Sequence, residues 1–189
     1  MQEKRRKILD ATLKLISQFG FHGTPMSLIA EQAGVGAGTI YRYFENKEAL
    51  IMKLFLKLKA EISQEMLNGF DSTRPPEQVF RQVWLNTFHY CIQHPAEMMF
   101  LEQYHNSPFL TPASESAVQD MLAPLVKYAE KSTASGQVKE MPFEMLTIFV
   151  YDTTIALAKR HISGFLKVDE FALDLAVQAS WDAVKGPAA

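Results

Sequence analysis

The chain of 189 residues contains a single cysteine, Cys91. No internal disulfide can form, so the fold must be held by packing, which suits a reducing cytoplasm. No apolar run is long enough to span a bilayer. The basic start Lys4-Arg5-Arg6-Lys7 has the charge of a signal peptide opening, but Asp10 and Lys14 break the apolar stretch that would have to follow. Internal repeats and low-complexity tracts are absent, and no glycine-rich phosphate loop follows a strand, because no strand is read. Metal-ligand patterns are also missing. His89, Cys91 and His94 do not share a helix face, which argues against zinc. Glu102 and His105 form one Glu-x-x-His pair, whereas a di-iron helical bundle, the alternative enzyme reading, needs two such pairs and two more carboxylates. Cys91 lies in no nucleophile signature and reads as a structural thiol. No catalytic residue, metal or cofactor is therefore assigned, and the chain is not read as an enzyme.

What is present is apolar and unevenly charged. Hydrophobic residues make up 48% and charged residues 21%, the balance of a globular chain forming one large domain or two small ones. The net charge is only −2, but up to Lys59 there are ten Lys/Arg against five Asp/Glu, and after it nine against sixteen. A basic head on an acidic body means that only the head should approach a polyanion.

Apolar spacing predicts helices nearly throughout. Ile8, Ala11, Leu15, Ile16 and Phe19 define a first amphipathic helix, ended by Gly20 and Gly23. Thr24 is the expected N-cap of a second helix, with Pro25 at its first position. Gly34, Gly36 and Gly38 mark a tight turn, and 39–44 a short third helix. Asn46 should cap a long fourth helix running past Met66. The stretch 69–76 is the best boundary candidate. A fifth helix is expected over 77–93, a sixth over 96–105, a seventh ending near Ser132 with a kink at Pro124, an eighth from Pro142 and a ninth from Asp169. The run 146–151 (LTIFVY) has strand composition, but apolar spacing continues helically to Ile155 and Leu157, so it is assigned to the eighth helix.

The segment 24–47, TPMSLIAEQAGVGAGTIYRYFENK, has the layout of a helix-turn-helix, the unit that sets one helix in the DNA major groove. Small Ala30 and Gly34 let two helices approach. Ile40 and Phe44 should face inward, against Leu28 and Ile16, leaving Tyr41 and Tyr43 to project. An exposed tyrosine can donate to a phosphate and lay its ring on a thymine methyl. Lys47 begins the fourth helix, where the positive helix end reinforces its charge. Lys4–Lys7 reads either as a solvated terminus or as an arm on the DNA backbone or minor groove.

From about Arg5 to Phe55 the chain resembles the TetR/AcrR family of bacterial transcriptional regulators, through Ile29-Ala30, Ala33-Gly34-Val35, Gly38, Ile40-Tyr41, Tyr43-Phe44, Lys47 and Leu50. The resemblance implies an all-α protein of about nine helices. A three-helix DNA-binding head (1–46) would be joined by a long helix to a larger bundle for effector binding and dimerisation (47–189). It implies DNA contacts at Thr39, Tyr41, Tyr43 and Lys47, with Ser27 and Arg42 as further candidates. The third helix opens with Gly36 and Ala37, where the family usually has a polar cap and a polar or basic residue. Thymine-methyl contacts, DNA shape and an N-terminal arm are then expected to carry more of the specificity.

The body is rich in aromatics and methionine, most of them core. The resemblance implies an effector pocket among the fifth to eighth helices. Trp84, Phe88, Tyr104, Met121 and Phe149 are the expected lining, and His89, His105 and Arg160 the candidate polar anchors. Few basic residues beyond Lys159, Arg160 and His161 are placed to meet an anionic effector such as an acyl-CoA, so an uncharged lipophile fits at least as well. Ala172, Ala176, Ala179 and Ala183 form a small-residue stripe on the ninth helix, which pairs either with the eighth helix of its own chain or, as the resemblance implies, with a second subunit. The leading reading is a cytoplasmic, homodimeric repressor of a palindromic operator, released by a small apolar effector. The alternative is an architectural or activating DNA binder without an effector.

Overall fold

Helix α1 (Gln2–Phe19) buries Ile8, Leu9, Ala11, Leu15 and Ile16 along one stripe. Its end is fixed by a threonine: Thr24 is fully buried and its Oγ1 donates to the Gly20 carbonyl at 2.8 Å. The expected capping role of Thr24 is thereby corrected. Its hydroxyl satisfies an orphan carbonyl of α1, while Pro25 occupies the N-cap of α2 (Met26–Gln32) without a side-chain bond.

A glycine closes α2. Gly34 has φ +65°, the Gly34 N–H donates to Glu31 and the Val35 N–H to Ala30, a Schellman closure. A Cβ at Gly34 would meet nothing within 4 Å, so the backbone conformation, not crowding, demands glycine.

The next helix is shorter than expected and begins earlier. The α-helical part, α3, is Ala37–Ile40. Bonds from Arg42 N to Thr39 O and from Tyr43 N to Ile40 O then carry the chain in tight turns to Phe44. Asn46 caps α4 (Lys47–Met66) as expected, its Oδ1 accepting from the Ala49 N–H at 2.8 Å.

The remaining elements are α5 (Pro76–Gln93), α6 (Pro95–His105), α7 (Pro112–Met121), α8 (Ala123–Ala134), α9 (Phe143–Thr147), a π-helical segment (Ile148–Asp152), α10 (Thr153–Ile162) and α11 (Glu170–Val184). Two of the nine expected helices are thus interrupted. The break before Pro124 falls at Leu122, and the eighth helix carries a π-turn. In that turn the Thr153 and Thr154 hydroxyls donate back to the Phe149 and Val150 carbonyls. Asp169 caps α11, accepting from Ala172 N at 2.9 Å. The structure, a computed structural model, describes residues 2–187. Among these no strand forms, only an isolated bridge of Val138 with Lys185. The fold is all-α.

The chain forms two compact units. One holds residues up to Ala60 together with Pro95–Val118, and the other holds Glu61–His94 and the chain from Gln119 onward. In the first, α1 packs on α2 and α6, and α2 on α3. In the second, α5 packs on α10, α11 and the π segment. There Val138, Leu146, Trp181 and Val184 form a buried cluster joined by Phe80, Phe143 and Phe149.

Candidate nucleic-acid interface and effector site

The helix-turn-helix rests on a floor of buried Ile16, Ile29, Ala30, Ile40 and Phe44. From that floor the side chains expected to face DNA project. Ser27 and Arg42 are exposed, Thr39, Tyr43 and Lys47 are half-buried, and Tyr41 is 55% exposed. A large aromatic left that open, beside a buried isoleucine, is what a surface that stacks against a partner requires.

Lys47 is held in place. Its ammonium donates to the Phe21 carbonyl, and burial lowers its pKa, opposed by Glu48. One N–H is spent on that carbonyl, and two remain to donate outward. The Phe21 ring in turn meets Phe100 and Phe109 edge-on, with centroids 5.8 and 5.1 Å away. Phe109 is tied through its carbonyl to the Tyr104 hydroxyl at 2.8 Å, and Tyr104 stacks on Phe55 of α4 at 3.9 Å. No apolar periodicity marks Phe21, which lies in the turn after α1. A phenylalanine in a polar, glycine-flanked turn was the available hint.

The basic start is not an arm. Lys4–Lys7 lies within α1, where Arg6 pairs with Asp10 and Lys7 with Glu3, because charges four apart along a helix meet. Arg5 lies over the Phe44 ring at 5.7 Å. A charge at this end of the head therefore sits on the helix-turn-helix itself, and the expectation of a groove-following arm is replaced by a rigid helical edge.

The expected effector-lining residues divide between the units. In the second, Trp84 and Phe88 are buried and stacked, with centroids 5.9 Å apart. Phe149 packs on the Trp181 cluster, and Met121 is half-buried. Tyr104 belongs to the first unit, where its ring and hydroxyl are engaged by Phe55 and Phe109. The proposed anchors His89, His105 and Arg160 are all exposed. Among the described residues no three of His, Cys, Asp and Glu are grouped as metal ligands, and no helix is long and apolar enough to cross a membrane.

On α11 the small-residue stripe is partly turned inward, since Ala183 packs on the Trp181 cluster. The open face carries instead Phe171, 79% exposed, with Leu175 and Ala179 at one-turn intervals. Ile162, Phe165 and Leu166, at and beyond the end of α10, are exposed as well.

Two family profiles cover most of the chain: "Bacterial regulatory proteins, tetR family" over residues 8–54, and "Tetracyclin repressor-like, C-terminal domain" over residues 75–185. A TetR family transcription regulator from Marinobacter aquaeolei superimposes with a TM-score of 0.90 at 26% identity, covering 98% of this chain and 97% of that one. A putative TetR family regulator from Vibrio parahaemolyticus is 30% identical over 96% of this chain and 98% of its own, with a TM-score of 0.85. The regulator FadR of Bacillus subtilis, solved in complex with stearoyl-CoA, shares the fold, with a TM-score of 0.70 at 20% identity over 94% and 95% of the two chains.

Proposed function

This chain belongs to the TetR family of bacterial transcriptional regulators, a DNA-binding regulator and not an enzyme, and we propose that it is a homodimeric repressor of a palindromic operator, released by a small apolar effector. Tyr41, open on a rigid floor, is the observation that carries the DNA reading. Tyr41 and Tyr43 meet thymine methyls and phosphates. Lys47 and Arg42 take phosphates, and Thr39 and Ser27 fix the register. Gly36, the N-cap of α3, has no side chain to read a base, so DNA shape carries part of the specificity.

One short helix contacts too few base pairs for useful affinity, and two copies about 34–36 Å apart read a palindrome. The apolar face of Phe171 and Leu175 on α11, with Ile162 near the end of α10, supports pairing with a second copy, because such faces are rarely left to water.

The aromatic body supports effector binding. The Bacillus regulator of the same fold, solved in complex with stearoyl-CoA, supports that reading. In this chain Lys159 and Arg160 are exposed, so an uncharged lipophile suits the buried aromatic residues better than an anion does. The effector prefers a dimer whose heads are moved away from half-site spacing, and the operator is released by population shift. Selecting genomic fragments with purified protein at near-physiological salt tests the operator reading. A recurring palindrome with half-sites about one helical turn apart is expected. Recovery of only salt-sensitive, sequence-independent fragments would overturn it.

A further inference from the structure

The buried donors of this chain are satisfied with care. Thr12, Thr24, Thr87, Ser132 and Thr154 each donate to a main-chain carbonyl. One stands apart. Trp84 in the middle of α5 is fully buried, and among the described residues its indole Nε1 has no hydrogen-bond partner. A phenylalanine would fill most of that space without leaving a donor stranded.

The surroundings point to a ligand. Trp84 stacks on Phe88, whose ring lies 6.1 Å from that of His161 in α10, so this face of α5 is aromatic and turned toward the second half of the interrupted helix. The π segment Ile148–Asp152 also packs on α5. A π-turn weakens a helix and is found most often at functional sites.

The electrostatics narrow the chemistry. The Nδ1 of His161 is occupied, accepting from the Val168 N–H at 3.1 Å. The Trp84 indole carries no charge to set against an anion, and a buried carboxylate or phosphate without a counter-charge is strongly disfavoured.

We propose that the Trp84 indole N–H is the polar anchor of the effector site, and that the effector is an uncharged lipophile carrying a hydrogen-bond acceptor such as a carbonyl or ester oxygen. This rests on the effector-responsive reading above. The test compares methyl decanoate with n-tridecane, which have equal numbers of heavy atoms, on the full-length protein and on Trp84→Phe and Trp181→Phe. Affinity is measured together with the nitrogen-15 indole resonances, each assigned by its loss in one variant. The ester should bind wild type and Trp181→Phe about tenfold more tightly than the alkane does, the ratio one neutral hydrogen bond gives. In Trp84→Phe that gap should close while alkane binding is unchanged, and only the ester should shift the Trp84 indole signal. An equal gap in wild type and Trp84→Phe, no gap at all, or an indole proton already in contact with a trapped water and unmoved by the ester would overturn the anchor alone. If neither probe binds any of the three proteins, the lipophile reading falls with it.

Discussion

Lys47 combines two demands that usually conflict. It is tethered to the Phe21 carbonyl, yet keeps two N–H groups for a phosphate. If it neutralises one phosphate per half-site, Lys47→Met should lower the salt slope of operator binding by about two for a dimer, at about 0.9 per phosphate. Phe21→Leu should act in the same direction more weakly, since the carbonyl remains but its position between Phe100 and Phe109 loosens. Salt titrations of both variants read this directly. An unchanged slope in Lys47→Met would show that the tether is purely structural. Tyr41→Phe removes only a hydroxyl and should weaken operator binding by about 1 kcal/mol with no change in thermal stability, because the side chain is open.

Tyr151 supplies a test of the body at the same scale. The residue is half-buried, and burial of its phenol end pushes its pKa well above the usual 10.0, with Cys91, Asp152 and Tyr90 adding to the rise. Above that usual value the unfolded chain has released this proton and the folded chain has not, so stability must fall as pH rises further. Denaturant unfolding between neutral and strongly alkaline pH should show that fall. Tyr151→Phe should flatten it, and an identical slope in the variant would refute the assignment.

At the level of elements, much could be read directly. Asn46 and Asp169 announce α4 and α11 because a side-chain oxygen can satisfy an orphan N–H two or three residues on, a local rule that needs no partner. Gly34 announces the turn after α2 by another local rule, because its positive φ favours glycine. Local rules fail where a distant group competes. Thr24 looks like an N-cap but serves a carbonyl four residues behind it. Lys4–Lys7 looks like a loose arm but continues α1 through its ion pairs. The π-turn at Ile148–Asp152 has no sequence signature beyond a β-branched and aromatic run, and the meeting of Phe21 with Lys47 spans 26 positions without any periodicity. The helix-turn-helix was legible because a short motif carries it. The grouping of α6 with the head was not, because only tertiary packing decides it.

The exposed face of α11 makes its own prediction. Phe171→Glu together with Leu175→Glu should leave helicity unchanged and convert a dimer to a monomer, because charges at the centre of an apolar interface stay unpaired. Operator affinity should then drop by orders of magnitude, as each head would hold a single half-site. Sedimentation and DNA titration check the two halves of this expectation, and a double variant that still sediments as a dimer would move the interface elsewhere.

For the whole molecule, the charge division matters most. The chain up to Lys59, with ten basic and five acidic residues, can approach DNA, and the chain after it, with nine basic and sixteen acidic residues, is repelled from it. The body can therefore influence the operator only through the placement of the heads, which is what release by an effector requires. Coupling of that kind is commonly worth about five- to 150-fold in affinity. The decisive measurement is the dissociation constant for the selected operator, taken with and without saturating lipophile whose binding is confirmed on the same preparation. A fall in operator affinity of at least about tenfold, with equal loss of lipophile affinity when operator is bound, is expected from thermodynamic reciprocity. Lipophile that binds and leaves operator affinity unchanged would contradict the regulated-repressor mechanism.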